Sequence, residues 1–192
     1  ATLSVRALNR ATLDRQMLLD RSPKKVPAAL EHLVGMQAQA PDAPYVGLWT
    51  RLKGFRPSDL AELIDAREAV RAPLMRATVH LVTAADCAKL RPWVQSVQER
   101  TFASQPFARK LKGTDLSDVI AEGRTLLAGN PMTRPELGKA LAKRWPDRDP
   151  SSLAYAVTFL LPVVQVPPRG VWGKRGFDLV AAFARRACEP DD

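Results

Sequence analysis

Ala69-Val70-Arg71-Ala72-Pro73-Leu74-Met75-Arg76-Ala77-Thr78-Val79-His80-Leu81-Val82 is the stretch on which the fold turns. Residues 69–72 and 78–82 read as two short strands, the second alternating and rich in β-branched side chains. Pro73 to Arg76 lies between them as a tip, since proline cannot continue a ladder and suits a turn. Towards the N-terminus the apolar rhythm becomes helical. Helical spacing runs from Leu8 to Leu19, and Pro23 and Pro27 bracket the entry to a second helix over Val26 to Met36. After a loop from Ala40 to Pro44, Tyr45 to Leu52 reads as a helix stopped by Gly54. Asp59 and Glu62 have capping-box spacing at the head of Leu60 to Ala66. Helices followed by a hairpin with a basic tip give the order of a winged helix.

The order then recurs. Thr83 and Asp86 cap a further helix, and Trp93 to Phe102 continues helical. Leu116, Val119, Ile120 and Leu127 mark a helix ending at Gly129-Asn130-Pro131, and Thr133-x-x-Glu136 is a capping box opening the next. Leu153, Val157, Leu160 and Leu161 share one helical face. Val163 to Val166 and Val171-Trp172 read as a second hairpin, with residues 163–166 expected to pair with 171–173. The predicted fold is mainly α with short β-hairpins, built as tandem winged-helix (helix-turn-helix) motifs. Residues 1–90 form the first lobe, 91–114 a connecting helix and basic linker, 115–176 the second lobe, and 177–192 a divergent tail.

Composition narrows the function. The 192 residues carry 29 Lys plus Arg against 20 Asp plus Glu, a net charge of +9 spread over both halves. That is the electrostatic footprint of a polyanion binder. The longest apolar run, Leu153 to Val166, is interrupted by Pro162 and falls short of the ~18 residues of a membrane helix. There is no compact apolar block after Arg6 and Arg10 to act as a secretory signal. Cys87 and Cys188 are too few for a disulfide framework, which fits a reducing cytoplasm. Two histidines and two cysteines, scattered, make no zinc site, and no Walker loop, nucleophile elbow or dinucleotide fingerprint is present. A cytoplasmic monomer without metal, nucleotide or other cofactor, acting on double-stranded DNA, is expected.

One local feature carries chemistry. In Gly35-Met36-Gln37-Ala38-Gln39-Ala40-Pro41, two glutamines one residue apart leave a helix end and enter a proline-limited loop. In extended backbone, i and i+2 share a face, so both amides can converge on one ligand atom. A neutral amide both donates and accepts; it can orient a water and favour a cation, but it is no strong base. Loop hydrogen bonding alone also accounts for many such pairs.

Three segments in order, residues 35–39, Leu74 to Val82, and Val166-Pro167-Pro168-Arg169-Gly170-Val171-Trp172-Gly173, resemble the AlkZ-like and YcaQ-like DNA glycosylases. The resemblance spans about residues 3 to 176. Members are bacterial tandem winged-helix proteins that excise N-alkylated purines, including some that crosslink the two DNA strands. Their Q-x-Q or Q-x-D motif lies at the catalytic centre, and the pair here is of the Q-x-Q kind. The resemblance thus implies Gln37 and Gln39 as catalytic residues, with Thr78 and His80 supporting through the family's T-x-H position. His32, one turn earlier, reads as structural.

Arg71 and Arg76 flank the first expected wing tip, and Arg169, Lys174 and Arg175 surround the second, where arginine suits phosphate. Arg109, Lys110 and Lys112 in the linker complete the expected DNA-binding set. Trp49, Trp93, Trp145 and Trp172 are expected mostly in the core. After Gly176 family members continue through another winged helix. Here Phe177, Leu179, Val180 and Phe183 are spaced for a last amphipathic helix in a short acidic-ended tail. That shortening keeps a second function open, a non-catalytic winged-helix protein of regulatory or architectural type, or an inactive truncated homologue.

Overall fold

A computed structural model describes residues 2–182. Phe183 and Cys188, and with them the end of the expected tail, lie outside the described residues. Each half of the chain builds the same element order. In the first, α2 (Val26–Leu33), β1 (Met36–Gln37), α3 (Ala43–Arg51) and α4 (Pro57–Asp65) precede the hairpin strands β2 (Ala69–Pro73) and β3 (Val79–Thr83). In the second, α8 (Leu116–Gly129), β4 (Met132–Thr133), α9 (Arg134–Ala142) and α10 (Pro150–Leu160) precede β5 (Val163–Gln165) and β6 (Leu179–Ala182). An N-terminal α1 (Val5–Arg15) and the connecting α5 (Ala84–Trp93), α6 (Gln95–Ser104) and α7 (Pro106–Lys110) complete the described α-helices, and a short 3-10 turn, Met75–Ala77, lies at the tip of the first hairpin. The strands join in one antiparallel sheet, ordered β1-β3-β2-β5-β6-β4. With the two halves matched element to element, that order reads the same from either edge.

Local chemistry explains most boundaries. Thr83 and Thr133 accept the N–H groups of Asp86 and Glu136, and Glu136 returns its carboxylate to the Thr133 N–H at 2.8 Å, closing the expected box. Asp59 does not cap from the position expected. Pro57 begins α4, so Asp59 sits in its first turn and accepts the Arg56 N–H at 2.9 Å. The second helix stops at Leu33, three residues earlier than expected. Val34 and Gly35 take left-handed backbone (φ 55° and 92°), and an added Cβ on Gly35 would lie 2.4 Å from Val82 Cγ1. Met36 and Gln37 are thereby freed to pair as β1.

The first hairpin pairs as predicted, with Val70 opposite Val82 and Ala72 opposite His80. The second does not. Residues 171–173 form no strand, and β5 pairs instead with β6, Val164 opposite Ala181 and Gln165 opposite Val180. The expected amphipathic helix over Leu179 and Val180 is therefore a strand. Gly170 and Gly173 have positive φ, and the Val171 N–H turns back to the Pro168 carbonyl, which ends any ladder there. The segment from Val166 to Gly173 instead straps onto the first half. Val171 is buried in the same core as Tyr45 and Leu48, and Tyr45 donates from its hydroxyl to the Gly170 carbonyl at 2.8 Å. The Trp172 N–H donates back to that hydroxyl at 3.0 Å, and the two rings lie 5.0 Å apart.

Two large apolar clusters form, one around Leu30, Leu48, Leu60 and Leu81, the other around Leu137, Leu141, Leu153 and Val157. A smaller one, with Ala72, Leu74, Val82 and Cys87, fills the opposite face of the first hairpin. Most tryptophans are outside these clusters, contrary to expectation. Trp93 is 85% exposed, and Trp49 and Trp172 are about half exposed, Trp49 with the Arg21 guanidinium 4.5 Å from its ring centre. No helix among the described residues is long and apolar enough to cross a membrane.

Candidate functional site

β1 is an edge strand of two residues, and it places the Q-x-Q pair. Gln37 lies directly opposite His80 across the ladder, and the Ala38 N–H donates to the Val79 carbonyl at 2.8 Å. Ala38 is fully buried in the first core while Gln37 and Gln39 on either side are exposed. The alternation expected for extended backbone is present, and the two amides stand on the face away from that core. The Gln39 Oε1 accepts the Val79 N–H at 3.3 Å, which folds its side chain against β3.

His80 is 5% exposed, and its Nδ1 lies 2.9 Å from the Thr78 carbonyl. Thr78 in turn donates from its hydroxyl to the Met75 carbonyl at 3.2 Å. Both are thus held locally, with His80 beside Gln37 in register. His32 is exposed, and its Nε2 lies 3.1 Å from the Arg15 carbonyl.

Gln39 lines a cavity of about 170 Å³ between the halves, with Gln98, Arg134, Tyr155, Gln165 and Asp178 among its walls. Gln37 is not part of that lining. Gln98 is fully buried and donates to the Leu74 carbonyl at 2.9 Å, but its Oε1 has no partner among the described residues. The cavity shares Arg134, Tyr155 and Asp178 with a wider cleft of about 970 Å³ at the heads of α9 and α10. Sequence reasoning missed these residues. Gln165 is the lone polar side chain in the apolar run 163–166, a signal that was present, whereas Asp178 fell in the stretch read as tail. Asp178 brings a carboxylate to the cavity, engaged by Arg134 and Gln165 at 2.9 and 2.6 Å.

The basic residues divide. Arg71, expected at a wing tip, is instead 2% exposed in a central strand; its Nη2 donates to the Ala38 carbonyl and its Nε to Gln165 Oε1, both at 2.9 Å. The site of the predicted tip, Arg76, is exposed on a tight turn with φ 55°. Burial pushes the Arg71 guanidinium below its usual range, with the positive charge of Arg169 acting in the same direction and Asp178 opposing. Arg169 is half-buried, Lys174 pairs with Asp65 at 3.0 Å, and Lys110 lies 3.7 Å from Asp149. Arg109, Lys112 and Arg175 are exposed. Among the described residues no group of three or more His, Cys, Asp or Glu is arranged to hold a metal ion.

What this arrangement offers is two neutral amides on one exposed face, a buried histidine beside them, and a cavity walled by amide, aromatic and ion-paired groups. Among solved structures the chain resembles the Streptomyces sahachiroi DNA glycosylase AlkZ, with a TM-score of 0.72 at 16% identity. The match covers 97% of this chain and 51% of that one, so the chain spans about half the length of that protein. A comparison with curated protein sequences finds no match. The family model for DNA glycosylase AlkZ-like proteins matches residues 30–191, running past the point near Gly176 where the sequence motifs end. The chain belongs to the AlkZ-like DNA glycosylase family.

Proposed function

We propose that this protein binds duplex DNA and hydrolyses the N-glycosidic bond of N7-type alkylated purines, crosslinked ones included, as a monomer using water alone. The observation that carries this reading is the placement of Gln37 and Gln39 on one exposed face, one opposite His80 and the other on the cavity between the halves. Alkylation at N7 makes the base cationic and already a good leaving group. Its departure leaves an oxocarbenium-like sugar, so the protein need only place a water and favour positive charge. Amide oxygens suffice for both, and His80 on β3, with Thr78 just before that strand, supports the pair.

The repeated helix–strand–helix–helix–strand–strand order supports reading the halves as two winged-helix units. Arg76 on its exposed turn, with Arg109, Lys110, Lys112, Arg169, Lys174 and Arg175, would supply phosphate contacts. Arg71 leaves this set because it is buried and engaged. Contacts to about 4 phosphates give a log–log salt slope near −4 for the DNA affinity. A titration of duplex binding from dilute to moderate salt checks this, and an affinity indifferent to salt would remove nucleic acid as the partner. Incubation with duplex DNA carrying N7-methylguanine should release the modified base. Tight, salt-dependent binding with no release would assign the chain to the binding-only class.

A further inference from the structure

The two halves of the sheet meet through one residue pair, Arg71 opposite Gln165. The side chains of that pair are the middle of a longer hydrogen-bonded chain. At one end Arg71 holds the carbonyl of Ala38, the residue between Gln37 and Gln39. At the other, Gln165 donates to Asp178, which also receives Arg134, whose guanidinium lies 5.2 Å from the Tyr155 ring centre.

We propose that Arg71, Gln165 and Asp178 are positioning residues that fix the Q-x-Q segment from the second half of the chain. The proposal rests on the reading of Gln37 and Gln39 as the reacting pair. Three features carry it. First, β1 has only two residues and a single strand neighbour, so little of its own ladder holds it. A charged guanidinium on the Ala38 carbonyl is a stronger tether than a neutral donor. Second, the Gln165 amide is bound at both ends, its oxygen to a cation and its nitrogen to a carboxylate, so it cannot flip without losing both bonds. The direction of the chain is thereby set. Third, Gly170 packs on the Arg71 stem so closely that a Cβ there would stand 2.6 Å from Arg71 Cδ, which holds the arginine from the outside.

Gln165→Leu cuts the chain at its centre. Single-turnover release of N7-methylguanine at saturating protein should fall at least about 10-fold while the Kd for DNA stays within about 2-fold. Hydrogen exchange at the Ala38 amide should quicken by a similar factor, because its bond to Val79 loses the support of the neighbouring tether. Gln165→Glu gives a readout that a purely structural lock would not. The new carboxylate still accepts from Arg71 but faces Asp178, and of two like charges so close one is pushed to a higher pKa. With Arg71 and Arg134 as the cations that face the pair, a proton taken up between the two carboxylates as pH falls restores the bond, so this variant should recover activity relative to the parent towards acid pH.

Unchanged release and unchanged Ala38 exchange in Gln165→Leu would overturn the proposal, as would release that falls only in step with DNA affinity. If Gln165→Leu does not fold, Asp178→Ala removes both acceptors at the half-buried outer end of the chain, and the same two measurements apply. Should the parent release no base at all, the glycosylase reading fails by itself. Ala38 exchange then still decides the positioning claim, quickened exchange upholding it and unchanged exchange sinking it.

Discussion

Replacing Gln37 or Gln39 with alanine is expected to slow base release from N7-methylguanine DNA about 10²-fold or more, the scale on which a single preorganised electrostatic group acts. Folding and DNA affinity should hardly move. Both side chains are exposed, and truncations at such positions stay within about 0.5 kcal/mol. Gln39→Ala also removes the acceptor for the Val79 N–H, so it should be the more costly of the two in stability. If they stabilise what forms in the transition state rather than the bound DNA, as proposed, the glutamines act on the rate at saturating protein. Loss of activity only in proportion to loss of DNA binding would assign them to positioning DNA.

Arg71→Met should be the most destabilising single change at the site, costing about 3 kcal/mol. Methionine keeps much of the stem but strands the Ala38 carbonyl and the Gln165 oxygen, and buried polar groups without partners cost about 1–3 kcal/mol each. For a chain of this size about 3 kcal/mol corresponds to a fall of roughly 10 °C in Tm. Arg76→Met on the exposed turn should leave Tm within about a degree or two while weakening DNA binding on all sequences alike. Two arginines five residues apart would then separate cleanly in a melting and binding experiment. A thermally silent Arg71→Met would contradict its place at the seam between the halves.

Much of the fold was legible because it is written in local chemistry. The hairpin over 69–72 and 78–82 announces itself by alternation and β-branching, and the Thr83 and Thr133 caps by side chains that reach backbone only a few residues away. The end of the second helix was missed: the apolar run to Met36 hid the stop at Gly35, a glycine whose close approach to Val82 leaves no room for a side chain. What could not be read locally is pairing across long separations. β5 pairs with β6 rather than with the nearer residues 171–173, because Val171 is buried in a core assembled from the other half and Trp172 lies against Tyr45 at its edge.

The site shows the same division. Gln37 and Gln39 were visible as a motif, and their shared face follows from extended backbone with a buried residue between. Arg71 was misplaced because a basic residue near a turn usually meets solvent. Only the fold shows that Gln165, 94 positions away, and the Ala38 carbonyl take up its donors. The cavity beside Gln39 is lined by residues from both halves, and no spacing rule within one segment brings Gln98, Tyr155 and Asp178 together.

Leaving-group charge is the most direct probe of the whole account. One duplex can carry N7-methylguanine at one position and its uncharged isostere, 7-deaza-7-methylguanine, at another, with release of each base followed by chromatography under single-turnover conditions. Two amides that place a water and favour a cation, with the nearby carboxylate of Asp178 already engaged by Arg134 and Gln165, should release the cationic base and leave the uncharged one in place. Release of both at comparable rates, or of neither while the DNA is bound, would contradict it.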